Sequence, residues 1–412
     1  MKLKYFYIVF FLTLFSCKDE VKKEAETTSG IEKPLVQLID NPSEWNSQLP
    51  RLFSNDNDLY FSWVTRKDSM DILHYSVLKN GVWSTSEAII EGNDWFTNWA
   101  DFPAIAENNG NILTSFLQKS AAGTYTYDIK LNLYNAKEKT WKKNFILHND
   151  GTQSEHGFVT IRPYVGDSFF VTWLDGRETV GKGHGGGQMT LRGAIVFEDG
   201  TIDYDTLLDE RICDCCQTSA AIGMNDGLIV AYRDRSEEEI RDISVVNWTQ
   251  ESGWSEPKTI GNDQWKIAGC PVNGPSLDAF ENMAAVAWFT ASEGEGDIKV
   301  AFSEDNGATF GPSFRIDAGN ATGRVDLVML SADEAAVLWM EPDGDDELIQ
   351  LMKINKHGYT GLPITISRTS SERASGFPQV ERIGDVLFVA WTELEEDKEP
   401  VIKTGSILVS AL

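Results

Sequence analysis

Three of the five cysteines in this chain fall within four positions, in the segment ICDCCQT at residues 212–218. Cys213, Cys215 and Cys216 are accompanied only by Cys270 downstream and by Cys17 near the N-terminus. Outside a reducing cytoplasm such residues serve as disulfides or metal ligands, because free thiols oxidise there. We predict that the four downstream sulfurs gather in one cluster, with a disulfide from Cys270 to one of the three as the first expectation.

A metal site is the alternative for this cluster. Thiolates suit soft ions such as Cu(I) or Zn(II), and His156 or His184 could complete the ligand set. The spacing differs from the paired C-x-x-C knuckles of structural zinc sites. One bridge to Cys270 would leave two thiols unused, and three cysteines in four residues close no long loop. The segment is therefore predicted to be a functional site as well as a structural link.

Arginine and carboxylate residues form a second group with chemical potential. Guanidinium groups bind carboxylates through two parallel hydrogen bonds, so several arginines on one surface predict an anionic ligand. We expect Arg177, Arg235 and Arg324 to converge on one cavity. The competing interpretation is that these residues form salt bridges between structural repeats. The site candidates chosen from this group are Arg162, Arg177, Arg235, Arg324, Asp175, Asp234, Glu239 and Asp326.

Two further segments carry residues that could contact a ligand. NWADFP at residues 98–103 places Trp99 and Asp101 just before an apolar strand. A tryptophan ring there could stack on a sugar or pack between repeats. GKGHGGG at residues 181–187 is the longest glycine-rich loop, and we interpret it as a lid or an insertion with His184 as its chemical group.

A repeated all-β framework must position these residues. Seven apolar segments end in an aromatic residue at intervals of 51 to 59 residues, and long helical periodicity is absent. Four short strands in a repeat of about 50 residues are typical of a β-propeller blade. We predict a seven-bladed β-propeller over residues 35–412, closed by an N-terminal strand at 35–40, with six blades as the alternative. The aromatic anchors are Trp63, Phe116, Trp173, Tyr232, Trp288, Trp339 and Trp391.

The candidate residues fall in two kinds of loop. They lie between blades, or between the second and third strands of a blade, and in an up-and-down sheet these loops share one face. The pattern therefore predicts one working face over the central channel. We place the ligand site at the channel mouth, around blades three to five.

One hairpin resembles the Asp-box of the sialidase superfamily. SEDNGATF at residues 303–310 follows the pattern Ser-x-Asp-x-Gly-x-Thr-Trp, with Phe310 in place of tryptophan. In this turn the carboxylate accepts hydrogen bonds from backbone N–H groups. The resemblance implies a propeller that binds or cleaves acidic glycans and, if it is an enzyme, a glycoside hydrolase of the exo-α-sialidase kind.

The same resemblance implies roles for site residues. Sialidases hold a substrate carboxylate with three arginines, and they use a tyrosine–glutamate pair as nucleophile and an aspartate as acid/base. The four candidate arginines could hold the carboxylate, with Asp175, Asp234 and Glu239 as catalytic candidates. No tyrosine–glutamate pair can be identified, and LPRLF at 49–53 is a poor match to the Phe/Tyr-Arg-Ile-Pro motif. The alternatives are a non-enzymatic propeller whose rim cysteines bind a soft metal or act in redox chemistry, and a protein-binding scaffold.

The N-terminus resembles a bacterial lipoprotein signal. Two lysines precede an apolar run that ends at Phe15, and Cys17 follows a small residue. The resemblance implies a signal peptide at 1–16 and a lipid on Cys17. The KDE sequence that follows is similar to the surface-export signal of Bacteroidetes lipoproteins. Residues 17–33 are predicted to be a flexible tether, and the protein is expected at the outer membrane of the cell envelope.

Charge restricts the class of partner. The chain has 36 basic and 63 acidic residues and a formal net charge of −27. Phosphate backbones would be repelled, so nucleic acid is excluded as a partner, and acidic membranes are excluded as a docking surface. We expect a monomer that binds a small molecule or a glycan and contacts the membrane only through its lipid.

Overall fold

A computed structural model of the chain describes Met1 and residues 35–55, 57–182 and 186–412. The predicted signal peptide, the tether, Cys17 and His184 lie outside these ranges. The regular structure in the described residues consists of thirty strands and four short 3-10 helices. None of the helices described is long and apolar enough to cross a membrane. The 3-10 helices are Arg177–Thr179, Met224–Asp226, Arg373–Ser375 and Val409–Ala411.

The strands form seven separate antiparallel sheets, which confirms the seven-bladed propeller and excludes the six-bladed alternative. Each of the first six sheets is built from one sequence repeat. The first three blades are β2 (Ser47–Ser54), β3 (Leu59–Lys67), β4 (Met70–Lys79), β5 (Val82–Trp83) and β6 (Glu87–Gly92); β7 (Ile105–Asn108), β8 (Asn111–Lys119), β9 (Tyr127–Asn135) and β10 (Thr140–Ile146); and β11 (His156–Pro163), β12 (Phe169–Asp175), β13 (Met189–Val196) and β14 (Ile202–Ile212).

Blades four to seven repeat the same antiparallel order. The seventh blade takes its fourth strand, β1 (Gln37–Ile39), from the other end of the chain. The strands are β15 (Ser219–Ile222), β16 (Leu228–Arg233), β17 (Ile243–Thr249), β18 (Gly253–Trp254) and β19 (Lys258–Ile260); β20 (Ser276–Phe280), β21 (Met283–Thr290), β22 (Asp297–Ser303) and β23 (Phe314–Arg315); β24 (Gly323–Met329), β25 (Glu334–Asp343), β26 (Asp346–Asn355) and β27 (Ile364–Ser370); and β28 (Gln379–Ile383), β29 (Val386–Glu393) and β30 (Val401–Leu408).

The N-terminal strand closes the ring as predicted. β1 pairs antiparallel with β30, in a register that places Gln37 opposite Ser406 and Ile39 opposite Thr404. Just beyond β1, the side-chain amide of Asn41 donates to the carbonyl of Ile402 at 3.0 Å. Closure leaves the ring without an unpaired joint between its first and last blades.

The aromatic anchors form the cores between blades. All seven are almost completely buried. Six of them belong to apolar clusters that join neighbouring sheets, and the seventh, Phe116, packs against Trp95 with ring centroids 4.5 Å apart. A large ring fills the wedge-shaped gap between two twisted sheets better than an aliphatic side chain, which accounts for the regular aromatic spacing.

The hairpin at 303–310 locks blade five against blade four. The carboxylate of Asp305 accepts hydrogen bonds from the N–H and the hydroxyl of Thr309, at 2.8 and 2.6 Å. Gly307 has φ of +77°, and a Cβ there would lie 2.7 Å from Ile229 of blade four. Glycine is therefore required both by the backbone conformation and by the close contact.

Candidate functional site

A cavity of about 760 Å³ opens at one mouth of the central channel. It adjoins the channel at Ala100 and Phe158, which also contact the narrow space between the inner strands of the blades. The loops that surround it come before β7, β11, β15, β20 and β28, or join β8 to β9, β12 to β13 and β16 to β17. These are the two kinds of loop in which the candidate residues are concentrated.

A hydrogen-bonded chain of three titratable side chains lies in the wall of this cavity. The hydroxyl of Tyr127, the first residue of β9, is 2.8 Å from Glu155 Oε1 and 3.1 Å from Asp101 Oδ2. The other oxygen of Asp101 accepts a 2.6 Å hydrogen bond from the backbone N–H of Phe158. The ring of Phe96 stacks on that of Tyr127 with centroids 4.2 Å apart and fixes the hydroxyl in place.

Burial tunes the two carboxyl groups of this chain to exchange a proton near neutral pH. Burial raises the pKa of Asp101 to about 8 and that of Glu155 to about 7, while the hydrogen bond to Tyr127 opposes the rise in both. Burial, followed by the charges of the two carboxyl groups, keeps the pKa of Tyr127 well above 10, so its hydroxyl stays protonated. Asp101 and Tyr127 are fully buried and Glu155 is half-buried. Glu155 is thus the member that can touch a ligand.

Aromatic rings and arginines form other walls of the cavity. Trp99 stacks on Phe377 with centroids 5.8 Å apart, and the guanidinium of Arg324 lies 5.0 Å from the centre of the Trp99 ring. The side chain of Tyr125 is exposed at the rim. Arg373, in the loop before blade seven, is also exposed and lines the cavity. A planar, partly wet surface beside a free guanidinium is suited to a sugar that carries an anionic group.

The expected convergence of Arg177, Arg235 and Arg324 does not occur. Only Arg235 lines the cavity, and it pairs with Glu239 at 2.7 Å. Arg177 pairs with Asp175 at 2.7 Å, two residues away in its own blade. Arg324 is buried and donates to the side-chain hydroxyl of Ser375 and to the carbonyl of Gly376. Each guanidinium has bound the nearest acceptor, so the prediction of a shared carboxylate site for the three was wrong.

The catalytic candidates chosen from the sequence lie apart from the buried chain. Asp175 is fully buried between Arg177 and the indole N–H of Trp173, and these partners hold its pKa below the usual range against the effect of burial. Asp234 accepts a hydrogen bond from Ser244 at 2.8 Å. Neither aspartate lines the cavity. Glu239, besides its pairing with Arg235, accepts from Arg241 at 2.9 Å.

Arg162 and Asp326 belong to the central channel rather than to the cavity. Arg162 donates to the carbonyl of Ala220 at 2.5 Å. Asp326 accepts from the hydroxyl of Ser276 and from the N–H of Val380, both at 2.9 Å, and burial raises its pKa. Of the ligand-binding residues proposed from the sequence, Trp99, Asp101 and Arg235 line the cavity.

Sequence reasoning missed Tyr127 and Glu155. Glu155 directly precedes His156, a candidate metal ligand in a loop between blades, and no motif distinguishes Glu155 itself. Tyr127 begins a third strand in TYTYDIK, a position that no motif distinguishes. The two are 28 residues apart, and only the pairing of blades two and three brings their side chains together.

The cysteine segment forms a compact thiol cluster. A turn at 214–215 brings the sulfur of Cys213 within 3.8 Å of Cys215 and 3.6 Å of Cys216. Cys270, in the loop before blade five, lines the same cavity as Cys215. The sulfurs that lie within 4.8 Å of one another are those of Cys213, Cys215 and Cys216. All four described cysteines are free. The expected disulfide to Cys270 is therefore absent, because the loop holds the sulfurs in contact rather than at the bonding distance of about 2.05 Å.

His156 does not join the cysteines. Its Nε2 lies 2.9 Å from Asp150, and its Nδ1 lies 3.3 Å from the carbonyl of Tyr127. The ring stacks on His148 with centroids 3.6 Å apart and is fully buried. Both nitrogens are occupied, so the ligand role proposed for His156 with the thiolates is wrong.

Comparison with known proteins identifies a fold and no sequence family. Neither a family model nor a curated protein matches the chain. A solved ulvan lyase of polysaccharide lyase family PL25 is 12% identical with a TM-score of 0.55, and the alignment covers 91% of this chain and 95% of that one. The polysaccharide lyase Uly1 is 10% identical with a TM-score of 0.52, over 88% and 90% of the two chains.

A third similar structure is that of a protein of unknown function from Dyadobacter fermentans. It is 11% identical with a TM-score of 0.50, and the alignment covers 75% of this chain and 94% of that chain. The protein thus shares the propeller fold of polysaccharide-acting proteins over most of its length. At this identity the likeness concerns the fold, and an activity must be argued from the site itself.

Proposed function

We propose that the protein binds acidic glycans in the cavity at the channel mouth and cleaves their glycosidic linkages, with Glu155 as the proton-transfer group. The observation that carries the proposal is the Asp101–Tyr127–Glu155 chain, which ends in a cavity walled by aromatic rings and arginines. The volume of about 760 Å³ lies within the range of about 300–1,000 Å³ typical of small-ligand sites.

The side chains that line the cavity are suited to bind a sugar that carries a negative charge. Trp99 and Tyr125 offer ring faces on which a pyranose can stack. Arg373 forms no salt bridge within the described residues and can bind a carboxylate or sulfate through its guanidinium. One of the similar structures is a PL25 ulvan lyase bound to the acidic unit -[GlcA(1-4)Rha3S]-.

Glu155 has the protonation behaviour that glycosidic cleavage needs. A hydrolase must protonate the leaving oxygen, and a lyase must remove a proton from the carbon beside a uronate carboxyl group. A carboxyl group with a pKa of about 7 can give or accept such a proton near neutral pH. Tyr127 is fully buried, so it acts as a positioning residue for Glu155 and does not attack the sugar. This differs from the sialidase pattern, in which the tyrosine is the nucleophile.

Glu155→Gln tests the proposal on the full-length protein. Removing the acid/base group should lower kcat/KM on uronate-containing polysaccharides or sialosides by about 100-fold or more, with the fold retained. Glu91→Gln, exposed on β6, is the matched control and should retain full activity. An unsaturated, ultraviolet-absorbing product identifies elimination, and new reducing ends without that absorbance identify hydrolysis. Full activity in Glu155→Gln, or no binding or cleavage of any acidic glycan by the unmodified protein, would contradict the proposal.

We also propose that a lipid on Cys17 anchors the protein at the outer membrane. The basic start, the apolar run and the cysteine after Ser16 support this location. Labelled fatty acid should be incorporated into the unmodified chain and not into Cys17→Ser, which should leave the membrane fraction. Equal membrane association of both proteins would contradict the anchor.

A further inference from the structure

The sulfurs of the thiol cluster lie farther apart than the two sulfurs of a disulfide bond. The sulfurs of Cys213, Cys215 and Cys216, which belong to one four-residue segment, all lie within 4.8 Å of one another. The sulfur of Cys213 is 3.6 Å from that of Cys216 and 3.8 Å from that of Cys215. With Zn–S bonds of about 2.3 Å, the sulfurs of a tetrahedral site lie about 3.8 Å apart. The cluster therefore has the spacing of ligands around one ion.

The surroundings of the cluster favour thiolates. Nη1 of the buried Arg241 donates to the sulfur of Cys213 at 3.2 Å. Arg233, also buried, is held nearby by the carbonyls of Asn273, Arg241 and Phe289. Two fixed guanidinium groups offset part of the negative charge that three or four thiolates bring to a metal ion. Without a bound cation, packing several thiolates together would be electrostatically costly.

The cluster is accessible from the cavity. Cys213 and Cys216 are buried, whereas Cys215 is half-buried and Cys270 is exposed, and the last two line the cavity wall. An ion can thus reach the sulfurs from solvent without opening the propeller. Cys270 comes from the loop before blade five, so a bound ion would also link the beginnings of two neighbouring blades.

We propose that Cys213, Cys215 and Cys216 bind one thiophilic d10 metal ion, with Cys270 available as a fourth ligand. Soft thiolate sites select Cu(I) and Zn(II) among biological metals. Four thiolates complete the tetrahedral shell of Zn(II), whereas three suffice for trigonal Cu(I). The site lies in the wall of the cavity, beside Asp214 and Arg235, which also line it. It is separate from the Asp101–Tyr127–Glu155 chain, so it does not depend on the proposed glycan chemistry.

Metal analysis of the full-length protein tests the site. The protein is purified under anaerobic, reducing conditions without a metal-chelating tag, and zinc and copper are measured by mass spectrometry. One equivalent of either metal is expected in the unmodified protein and its loss is expected in Cys215→Ser. Cys17→Ser makes the same chemical change at the one cysteine outside the cluster and should keep the metal. Loss in Cys270→Ser identifies the four-thiolate zinc site, and retention identifies the three-thiolate site.

A second measurement keeps the proposal testable if the serine variants fail to fold. Co(II) added to the unmodified apoprotein should produce sulfur-to-metal charge-transfer and tetrahedral d–d absorption. Zn(II) or Cu(I) should displace both bands. The proposal is overturned if the unmodified protein takes up neither metal stoichiometrically, if Cys215→Ser keeps the full metal content, or if peptide mapping of the anaerobic protein shows these cysteines in disulfides. Metal content is measured without a glycan, so its outcome is independent of the cleavage assay.

Discussion

Tyr127 controls two carboxyl groups at once because its hydroxyl lies between them. Its hydrogen bonds lower the pKa of both Asp101 and Glu155 and so oppose the larger effect of burial. None of the Tyr127 side chain is exposed, so the hydroxyl cannot reach a ligand in the cavity. Tyr127 therefore affects the site by shifting the pKa values of Asp101 and Glu155.

Replacing Tyr127 with phenylalanine should move the pH profile of glycan cleavage. Without the hydroxyl, the pKa values of Glu155 and Asp101 should rise above about 7 and about 8. Both limbs of the plot of kcat/KM against pH should then shift to higher pH. Activity at pH 7 should fall if the reaction is an elimination, which uses ionised Glu155 as the base, and rise if it is a hydrolysis, which uses protonated Glu155 as the acid. Tyr125→Phe, which removes a hydroxyl from the exposed rim, should leave both limbs in place. If neither limb of the pH profile moves in Tyr127→Phe, Tyr127 contributes only packing and does not set the pKa values of the two carboxyl groups.

At the residue scale, sequence patterns selected part of the cavity lining and did not find the hydrogen-bonded chain in its wall. Asp101, Trp99 and Arg235 could be selected from the sequence, and they line the cavity. The pairing of Tyr127 with Glu155 could not be predicted, because it depends on how two blades meet. The arginine prediction failed for a different reason, since Arg177 binds a carboxylate only two residues away. An ion pair with a residue close in sequence costs less conformational entropy, because it requires no further ordering of the chain.

At the scale of elements, the blade is defined by its buried aromatic anchor. Trp339 on β25 belongs to the core between blades five and six, and its indole N–H donates to Glu341 at 3.0 Å. The spacing of such rings was sufficient to predict all seven blades. The sequence did not reveal that the outer strands of blades one and four are divided in two. In blade four the break contains Pro257, which has no N–H to continue the ladder.

Trp339→Ala should destabilise the protein by about 3–5 kcal/mol, because it removes a buried ring and leaves a cavity between sheets. The measurement is the free energy of unfolding from urea denaturation. Trp45→Ala is the control, since 70% of that side chain is exposed, and its effect should be small. Similar losses in the two variants would contradict the role of the anchor in joining the blades.

At the scale of the molecule, stability depends on joining the two ends of the ring. Asn41 donates to the carbonyl of Ile402 at 3.0 Å and to the hydroxyl of Thr404 at 3.3 Å, across 361 and 363 residues of sequence. Thr404 in turn donates to the carbonyl of Ile39 at 2.6 Å. The pairing of β1 with β30 comprises three residue pairs, and side-chain hydrogen bonds from both ends of the chain reinforce it.

Asn41→Ala should lower the free energy of unfolding by about 1–2 kcal/mol, since it removes two half-buried hydrogen bonds at the closure. Urea denaturation measures the loss, and Asn57→Ala on an exposed turn provides the control. If Asn41→Ala is as stable as the control, the side-chain contacts beyond β1 do not contribute to closing the ring.

The closure also fixes an order of events during biosynthesis. The first strand of the propeller leaves the ribosome long before its partner β30, which begins only at Val401. Blades one to six can form in succession as they emerge, but the seventh sheet cannot be completed until β30 is available. Until then β1 has no partner and the growing assembly presents open strand edges. A nascent chain halted before residue 401 would therefore be an aggregation-prone arc, a substrate for proteases and chaperones rather than a less stable version of the finished ring.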